Sequence, residues 1–135
     1  MTRARPAPRD AVVILIRDGE RLLVIRRAAG VPRPNYWCPP GGGIEPGEAA
    51  CDAVVREARE EVGLEVQPLR QVWTTPSDDG RWSLQFWLAD RVGGTLLPDP
   101  REAAEARWVT ADELLALDPI FPAHRPFFDT VWPTL

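Results

Sequence analysis

The chain has 135 residues, a formal net charge of −4 and a hydrophobic content of 44%. This length fits one compact domain with its own core, and the mild charge excludes the basic field expected of a nucleic-acid-binding surface. The two cysteines lack metal-ligand spacing and are too few for a disulfide scaffold, and the longest apolar run, AVVILI, is too short to span a bilayer. We therefore expect a cytoplasmic protein whose partners include neither a membrane nor a nucleic acid polymer.

The first half of the chain is predicted to contain a hairpin, a loop and a helix. Residues 1–9 are rich in Arg and Pro and are predicted to form a flexible arm ahead of a single domain over residues 10–135. Residues 11–27, AVVILIRDGERLLVIRR, place an Asp-Gly turn between two runs of Val, Ile and Leu, which predicts a β-hairpin. Gly and Pro interrupt residues 28–40, which predicts a loop. Residues 47–62 show helical periodicity.

The second half is predicted to add three strands and one short helix. Gly63 stands where a helix C-cap glycine belongs, and the segments LEVQPLRQVWTT and RWSLQFWLADRV are predicted as strands joined by the turn PSDDG. EARWVT is predicted as a further strand, and Thr110 and Glu113 form a capping box at the start of TADELLAL. Strands before and after one central helix indicate a mixed α/β domain.

Three glutamates, Glu57, Glu60 and Glu61, are crowded on one side of the central helix. On a helical wheel they lie beside an apolar stripe that is expected to face the core and consists of Cys51, Val55, Ala58 and Val62. A solvated helix face is the simpler interpretation, but like-charge pairs at these spacings each destabilise a helix by roughly 0.2–0.5 kcal/mol. A hard divalent cation, which prefers oxygen ligands, explains the cluster better, with Arg56 holding Glu60 in orientation.

The segment around these glutamates resembles the Nudix box. That motif requires a glycine, a glutamate, an Arg-Glu pair, a Glu-Glu pair and a Gly-aliphatic pair at fixed separations. The chain meets it with Gly42, Glu48, Arg56, Glu57, Glu60, Glu61, Gly63 and Leu64. The one departure is Ala58, which stands where a bulkier aliphatic residue is expected. Because Ala58 is still apolar, we expect slightly thinner packing there and no loss of chemistry.

The resemblance to the MutT-like Nudix hydrolase family implies an α/β/α sandwich with a mixed sheet. It also implies hydrolysis of a phosphoanhydride bond in a nucleoside diphosphate linked to another group, as in a nucleoside triphosphate or a nucleotide sugar, with Mg²⁺ or Mn²⁺ as cofactor. By the same resemblance, Glu57, Glu60, Glu61 and the backbone carbonyl of Gly41 are the expected metal ligands. Glu48 is expected to support the geometry between the loop and the helix.

The resemblance leaves the general base open. Glu60 and Glu61 are candidates, and so is Glu102, which lies in a loop that could return to the metal site. Glu105 is expected to be structural. His124 is the only histidine and stands in a Pro-rich tail without an evident partner, so it is not expected to be catalytic.

Candidate substrate-binding residues lie in and before the loop that enters the box. Arg26, Arg27 and Arg33 are candidates for contacts with phosphate, and Tyr36 and Trp37 are candidates for lining a pocket for the base or the leaving group. The expected partner is a small-molecule nucleotide, and a homodimer is left open. The alternative function is a non-catalytic nucleotide-sensing module on the same fold. Such modules usually lose glutamates of the box, whereas this chain keeps them all.

Overall fold

The computed structural model describes residues 7–135. In chain order its strands and helices are β1 (Arg9–Asp18), β2 (Arg21–Arg27), β3 (Trp37–Cys38), β4 (Gly41–Gly43), α1 (Ala50–Val62), β5 (Leu64–Pro76), β6 (Trp82–Gly94), β7 (Ala103–Val109) and α2 (Ala111–Leu115). Three short helical turns follow, over Pro122–His124, Phe127–Val131 and Trp132–Thr134. The predicted arm over residues 1–9 falls mostly outside the described residues, and β1 already includes Arg9.

The seven strands form one mixed sheet. Its main path runs β3-β2-β1-β6-β5, with β4 also paired to β1 and β7 also paired to β2. The pair β1–β6 is parallel, and the other pairs are antiparallel. The predicted β1–β2 hairpin is confirmed, as is the long β5–β6 pair that turns back over residues 77–81. Within residues 7–135, no helix combines the length and the apolar character that crossing a bilayer requires.

The sheet is covered on both faces, because successive side chains of a strand point to opposite sides. On one face, Val12, Ile14 and Ile16 of β1 belong to the cluster that packs against α1. On the other face, Val13 and Leu15 belong to a cluster that includes residues of α2 and of the C-terminal turns. The resulting three layers confirm the predicted α/β/α sandwich with a mixed sheet.

Helix α1 begins later than the periodicity predicted. Residues 46–47 form a turn, in which Gly47 has φ of +76°. The Glu48 amide donates to the Glu45 carbonyl at 3.0 Å, and the Glu48 carboxylate accepts from the Glu45 amide at 3.1 Å. The helix therefore starts at Ala50 and not at residue 47. Its end agrees with the prediction, since Gly63 caps it with φ of +74°.

The buried face of α1 is also rotated relative to the predicted stripe. Ala58 and Val62 are buried as expected, but Cys51 is exposed and Val55 is only half-buried. The other buried positions of the helix are Ala53, Val54 and Glu61. With this orientation the glutamate side of α1 faces β4. The glycines of β4 have no side chains, so the glutamates can approach the backbone of the strand.

Two strands were missed in the segment predicted as loop and turn. β3 pairs with β2, and β4 pairs with β1 in the register Val12↔Gly42. A run of glycines has low strand propensity, so the pairing of β4 depends on β1 and not on its own composition. The predicted capping box of α2 is confirmed, because the Thr110 side chain accepts from the Glu113 amide and the Glu113 side chain accepts from the Thr110 amide.

Candidate active site

The candidate site lies where the side-chain-free strand β4 meets the glutamate side of α1. A Cβ atom on Gly41 would lie 2.2 Å from the carbonyl oxygen of Val12 on the paired strand. A Cβ atom on Gly42 would lie 2.4 Å from the carboxyl carbon of Glu57. Glycine is therefore required at Gly41 by the strand pairing, whereas at Gly42 a side chain would have to displace the carboxylate of Glu57.

Arg56 organises the carboxylates along this junction. Its guanidinium donates to both carboxylate oxygens of Glu48, at 2.8 and 2.9 Å. It also donates to Glu57 at 2.9 Å, to Glu60 at 3.2 Å and to the Gly43 carbonyl at 3.0 Å. These hydrogen bonds from Arg56 lower the pKa of Glu48 to about 2. The predicted contact of Arg56 with Glu60 is present, but the closer partners are Glu48 and Glu57, so Arg56 ties β4, the turn before α1 and the helix together.

Glu61 is a buried carboxylate at the end of β4. It is 4% exposed, and its Oε2 accepts a hydrogen bond from the Gly41 amide at 3.0 Å. Burial is the main cause that raises its pKa to about 8; the negative charges of Glu102 and Glu57 act in the same direction, and the Gly41 hydrogen bond and the charge of Arg27 act against them. Burial also raises the pKa of Glu57, with Glu60 and Glu102 as additional like charges. The site thus crowds carboxyl groups whose full ionisation its own residues only partly compensate, so that Glu61 keeps its proton at neutral pH when no cation is bound.

The donor set suits a divalent cation, although its members do not all converge. Glu57, Glu60 and Glu61 supply carboxylate oxygens, the ligands that Mg²⁺ prefers. Glu57 and Glu61 lie on the β4 side of α1, whereas the Glu60 side chain is 58% exposed and turned toward Arg56. Among residues 7–135, no three His, Cys, Asp or Glu side chains are already grouped as a ligand set. The oxygen ligands are therefore of the type that the cation prefers, but the Glu60 side chain is not yet positioned beside Glu57 and Glu61.

Glu102 returns to this site, as the sequence suggested it could. Its charge raises the pKa of both Glu57 and Glu61, and its backbone carbonyl accepts a hydrogen bond from the Ala28 amide at 2.9 Å. Glu105 lies in β7 and pairs with Arg107, and its carboxylate is 3.7 Å from Arg26. The loop before β7 therefore brings one glutamate, but not the other, to the carboxylate cluster.

A cavity of about 500 Å³ opens beside β4 and reaches Glu61. Three arginines line it, namely Arg27 from β2, Arg33 from the following loop and Arg81 from the turn before β6. Trp82, Phe121 and His124 are also part of its wall. Its size is in the range of ligand-binding clefts, and its mixture of arginines with aromatic rings suits an anion that has a flat or apolar part.

Three of the predicted substrate-binding residues do not line this cavity. Arg26 donates to the side chain of Asn35 at 2.9 Å, and Tyr36 packs on Phe121 with ring centroids 4.9 Å apart. Trp37 is 7% exposed and belongs to the hydrophobic core. None of these three side chains lines the cavity, and their assignment to substrate binding stays a prediction.

The alternation along β2 explains why Arg27 lines the cavity and Arg26 does not. Leu23 and Ile25 lie on the α1 face of the sheet, and Leu22 and Val24 lie on the opposite face. Arg27 continues the first series and Arg26 the second. The alternation of side chains along β2 could be predicted from the sequence, but only the folded sheet shows which of its two faces carries the site. By contrast, Arg81, Trp82, Phe121 and His124 were missed as cavity residues because they arrive through long-range folding.

The fold and the site together define a Nudix domain. The family model for the NUDIX domain matches residues 7–131, and the chain belongs to this hydrolase family. The resemblance seen in the box is thereby confirmed over nearly the whole chain.

Among relatives, the chain is 32% identical over 139 aligned positions to the NAD-capped RNA hydrolase NudC of Deinococcus radiodurans, with 98% of this chain and 48% of the relative covered. It is 34% identical to NudC of Stutzerimonas stutzeri, with 83% of this chain and 40% of the relative covered. The chain thus spans about half the length of the curated relatives it matches. Among solved structures, it resembles a MutT Nudix hydrolase of Burkholderia pseudomallei with a TM-score of 0.78 at 25% identity, covering 92% of this chain and 98% of the other. It also resembles a MutT protein of Methanosarcina mazei with a TM-score of 0.79 at 24% identity, covering 93% and 94%.

Proposed function

We propose that this protein hydrolyses a phosphoanhydride bond in a nucleoside diphosphate derivative with the help of Mg²⁺ or Mn²⁺. The observation that carries the proposal is the position of Glu61, which is buried, bonded to the Gly41 amide and open to the arginine-lined cavity. This arrangement places a cluster of carboxyl groups, ionised once a cation replaces the proton held by Glu61, directly beside a site that suits an anionic substrate. A divalent cation is the group that allows the two to coexist.

Glu57, Glu60, Glu61 and the Gly41 carbonyl are the groups proposed to hold the cation. When bound, the cation supplies charge neutralisation at phosphate and a coordinated water of lowered pKa. Arg56 holds Glu57 and Glu60 through hydrogen bonds, so its role is to position ligands. Glu61 and Glu102 are the proposed candidates for accepting the proton of the attacking water, because Glu61 lines the cavity beside β4 and the charge of Glu102 raises the pKa of Glu61.

The names of the relatives suggest which substrate to test first. NudC proteins are named as NAD-capped RNA hydrolases, and NAD contains a diphosphate that joins two nucleosides. Cleavage of that diphosphate is the reaction class proposed here. Because this chain spans only about half of those relatives, we propose free NAD as the first substrate and capped RNA, nucleoside triphosphates and nucleotide sugars as comparisons.

The test is a hydrolysis assay with purified protein and these four substrate types in the presence of Mg²⁺ or Mn²⁺. We expect mononucleotide products from at least one substrate, and no products in EDTA. Glu60→Gln and Glu61→Gln should be much less active than Asp52→Asn, although each change removes one negative charge from α1. Asp52 is the matched control because it is exposed on the same helix. Nucleotide binding without hydrolysis of any substrate would instead identify a sensing module.

A further inference from the structure

His124 is a buried polar side chain that faces the cavity. It is 8% exposed and lines the cavity wall. Its ring packs 5.4 Å from the ring centroid of Phe86 and 5.1 Å from that of Phe121. Among the side-chain hydrogen bonds within residues 7–135, none involves its imidazole. In the same part of the chain, no fully buried side-chain nitrogen or oxygen lacks a partner. The ring nitrogens of His124 are therefore not fully buried, and the side chain that carries them lies on the cavity wall.

The imidazole of His124 is neutral at pH 7. Burial, together with the positive charge of Arg27, lowers its pKa to about 4. A neutral imidazole offers one hydrogen-bond donor and one acceptor. It is therefore poorly suited to an anion and well suited to an uncharged polar group. Because the ring nitrogens are not fully buried, a polar group of a ligand can replace water as their hydrogen-bond partner, with a modest net gain in affinity.

Arg27 lies on the same wall and has charge available for an anion. Its Nε donates to the Pro32 carbonyl at 2.7 Å, which fixes the side chain without neutralising it. Within residues 7–135, no carboxylate lies within ion-pair distance of Arg27. Its charge acts on both Glu61 and His124. Arg27 thus stands between the carboxylate end of the cavity and its aromatic end.

We propose that His124 is a specificity-determining residue, whose ring hydrogen-bonds an uncharged group of the substrate while Arg27 holds the phosphate next to that group. The uncharged group is a sugar hydroxyl or the edge of a base, since both carry neutral donors and acceptors. This proposal rests on the proposed function only in taking the cavity as the substrate site. Arg27 is thereby assigned to binding the charged phosphate, and His124 to binding the uncharged group.

The test measures binding with ligands that cannot be hydrolysed, namely α,β-methylene-ADP, methylenediphosphonate and ribose 5-phosphate, by calorimetry in Mg²⁺. His124→Phe is slightly larger, but it retains an aromatic ring against Phe86 and Phe121 and removes the hydrogen bond. We expect it to bind α,β-methylene-ADP about 2- to 10-fold more weakly and methylenediphosphonate as tightly as wild type. Arg27→Gln should weaken both ligands by a similar factor. Weaker binding of ribose 5-phosphate by His124→Phe would locate the partner on the sugar, and unchanged binding would locate it on the base.

Two controls keep the outcome interpretable. His124→Gln and His124→Asn retain a neutral donor and acceptor, so at least one of them should recover part of the lost affinity; these variants also serve if His124→Phe does not fold. The proposal is overturned if wild type does not bind α,β-methylene-ADP, if His124→Phe binds it as well as wild type, or if both ligands weaken equally. Absence of hydrolysis by wild type together with selective loss in His124→Phe would reject the proposed function and leave this assignment standing.

Discussion

Replacing Glu61 by glutamine should stabilise the metal-free protein at neutral pH, even though it should abolish activity. In the folded state burial raises the pKa of Glu61 from the usual 4.5 to about 8. The folded protein therefore holds a proton that the unfolded chain releases, and its free energy of unfolding falls as pH rises between these two values. Glutamine has no such titration, and its carbonyl oxygen can still accept the hydrogen bond from the Gly41 amide.

The size of the effect follows from the shift. Each pH unit within this window changes the free energy of unfolding by about 1.4 kcal/mol. The advantage of Glu61→Gln over wild type should therefore grow by about 3 kcal/mol between about pH 5 and about pH 7. Millimolar Mg²⁺ should reverse the order, because a ligand at a hundredfold excess over its Kd stabilises the native state by about 2.7 kcal/mol and the variant has lost a ligand atom.

The assay is urea unfolding followed by tryptophan fluorescence in EDTA at several pH values, with and without an excess of Mg²⁺. Asp52→Asn is the control, because it removes the same charge from an exposed position of α1 and should track wild type at every pH. If the curves for Glu61→Gln and wild type ran parallel between pH 5 and pH 8 in EDTA, Glu61 would not be an uncompensated buried carboxylate. The electrostatic account of the site would then be wrong.

Arg56→Ala should lower kcat about 10- to 100-fold with native circular dichroism, because the carboxylates lose their common donor; an unchanged kcat would contradict the positioning role. Gly42→Ala should also lower kcat, because its Cβ would displace the carboxylate of Glu57. Gly30→Ala is the control and should leave kcat and Tm unchanged, because nothing lies within 4 Å of its added Cβ. Similar losses in both variants would argue against the close contact between Gly42 and Glu57. In the native protein Ellman's reagent should modify the exposed Cys51 quickly. Cys38 should react only after unfolding, because burial raises the pKa of its thiol to about 12. Fast reaction of both thiols would show that Cys38 is accessible.

Features set by neighbouring residues could be predicted from the sequence. The end of α1 at Gly63 and the capping box of α2 depend on side chains and backbone groups a few positions apart. The β1–β2 hairpin depends on an Asp-Gly turn between two apolar runs. The spacing of the glutamates likewise placed them on one side of a helix. Such signals are complete within a short window, so one sequence is enough to detect them.

Features that depend on distant partners could not be predicted. β4 is a strand because β1 pairs with it, while its three glycines disfavour that state. The orientation of helix α1 also depends on β4, because the helix packs its glutamate side against that strand. Glu61 is therefore buried and Cys51 is exposed. The cavity wall joins residues from β2, the turn before β6 and the C-terminal turns, and no local pattern announces that Arg27, Arg81 and His124 meet.

The glycine strand β4 separates the parts of this molecule that can vary from those that cannot. At Gly41 a side chain would collide with the backbone of β1, and at Gly42 it would displace the carboxylate of Glu57, so substitutions at both positions should disturb the carboxylate cluster. The mouth of the cavity is different, because it is built by residues 32–33 and 77–79, which belong to two loops anchored on separate strands. Directed evolution limited to those two loops should therefore change which molecules enter while the carboxylate end, proposed to carry out hydrolysis, stays the same, which would make the chain a compact scaffold for new hydrolases.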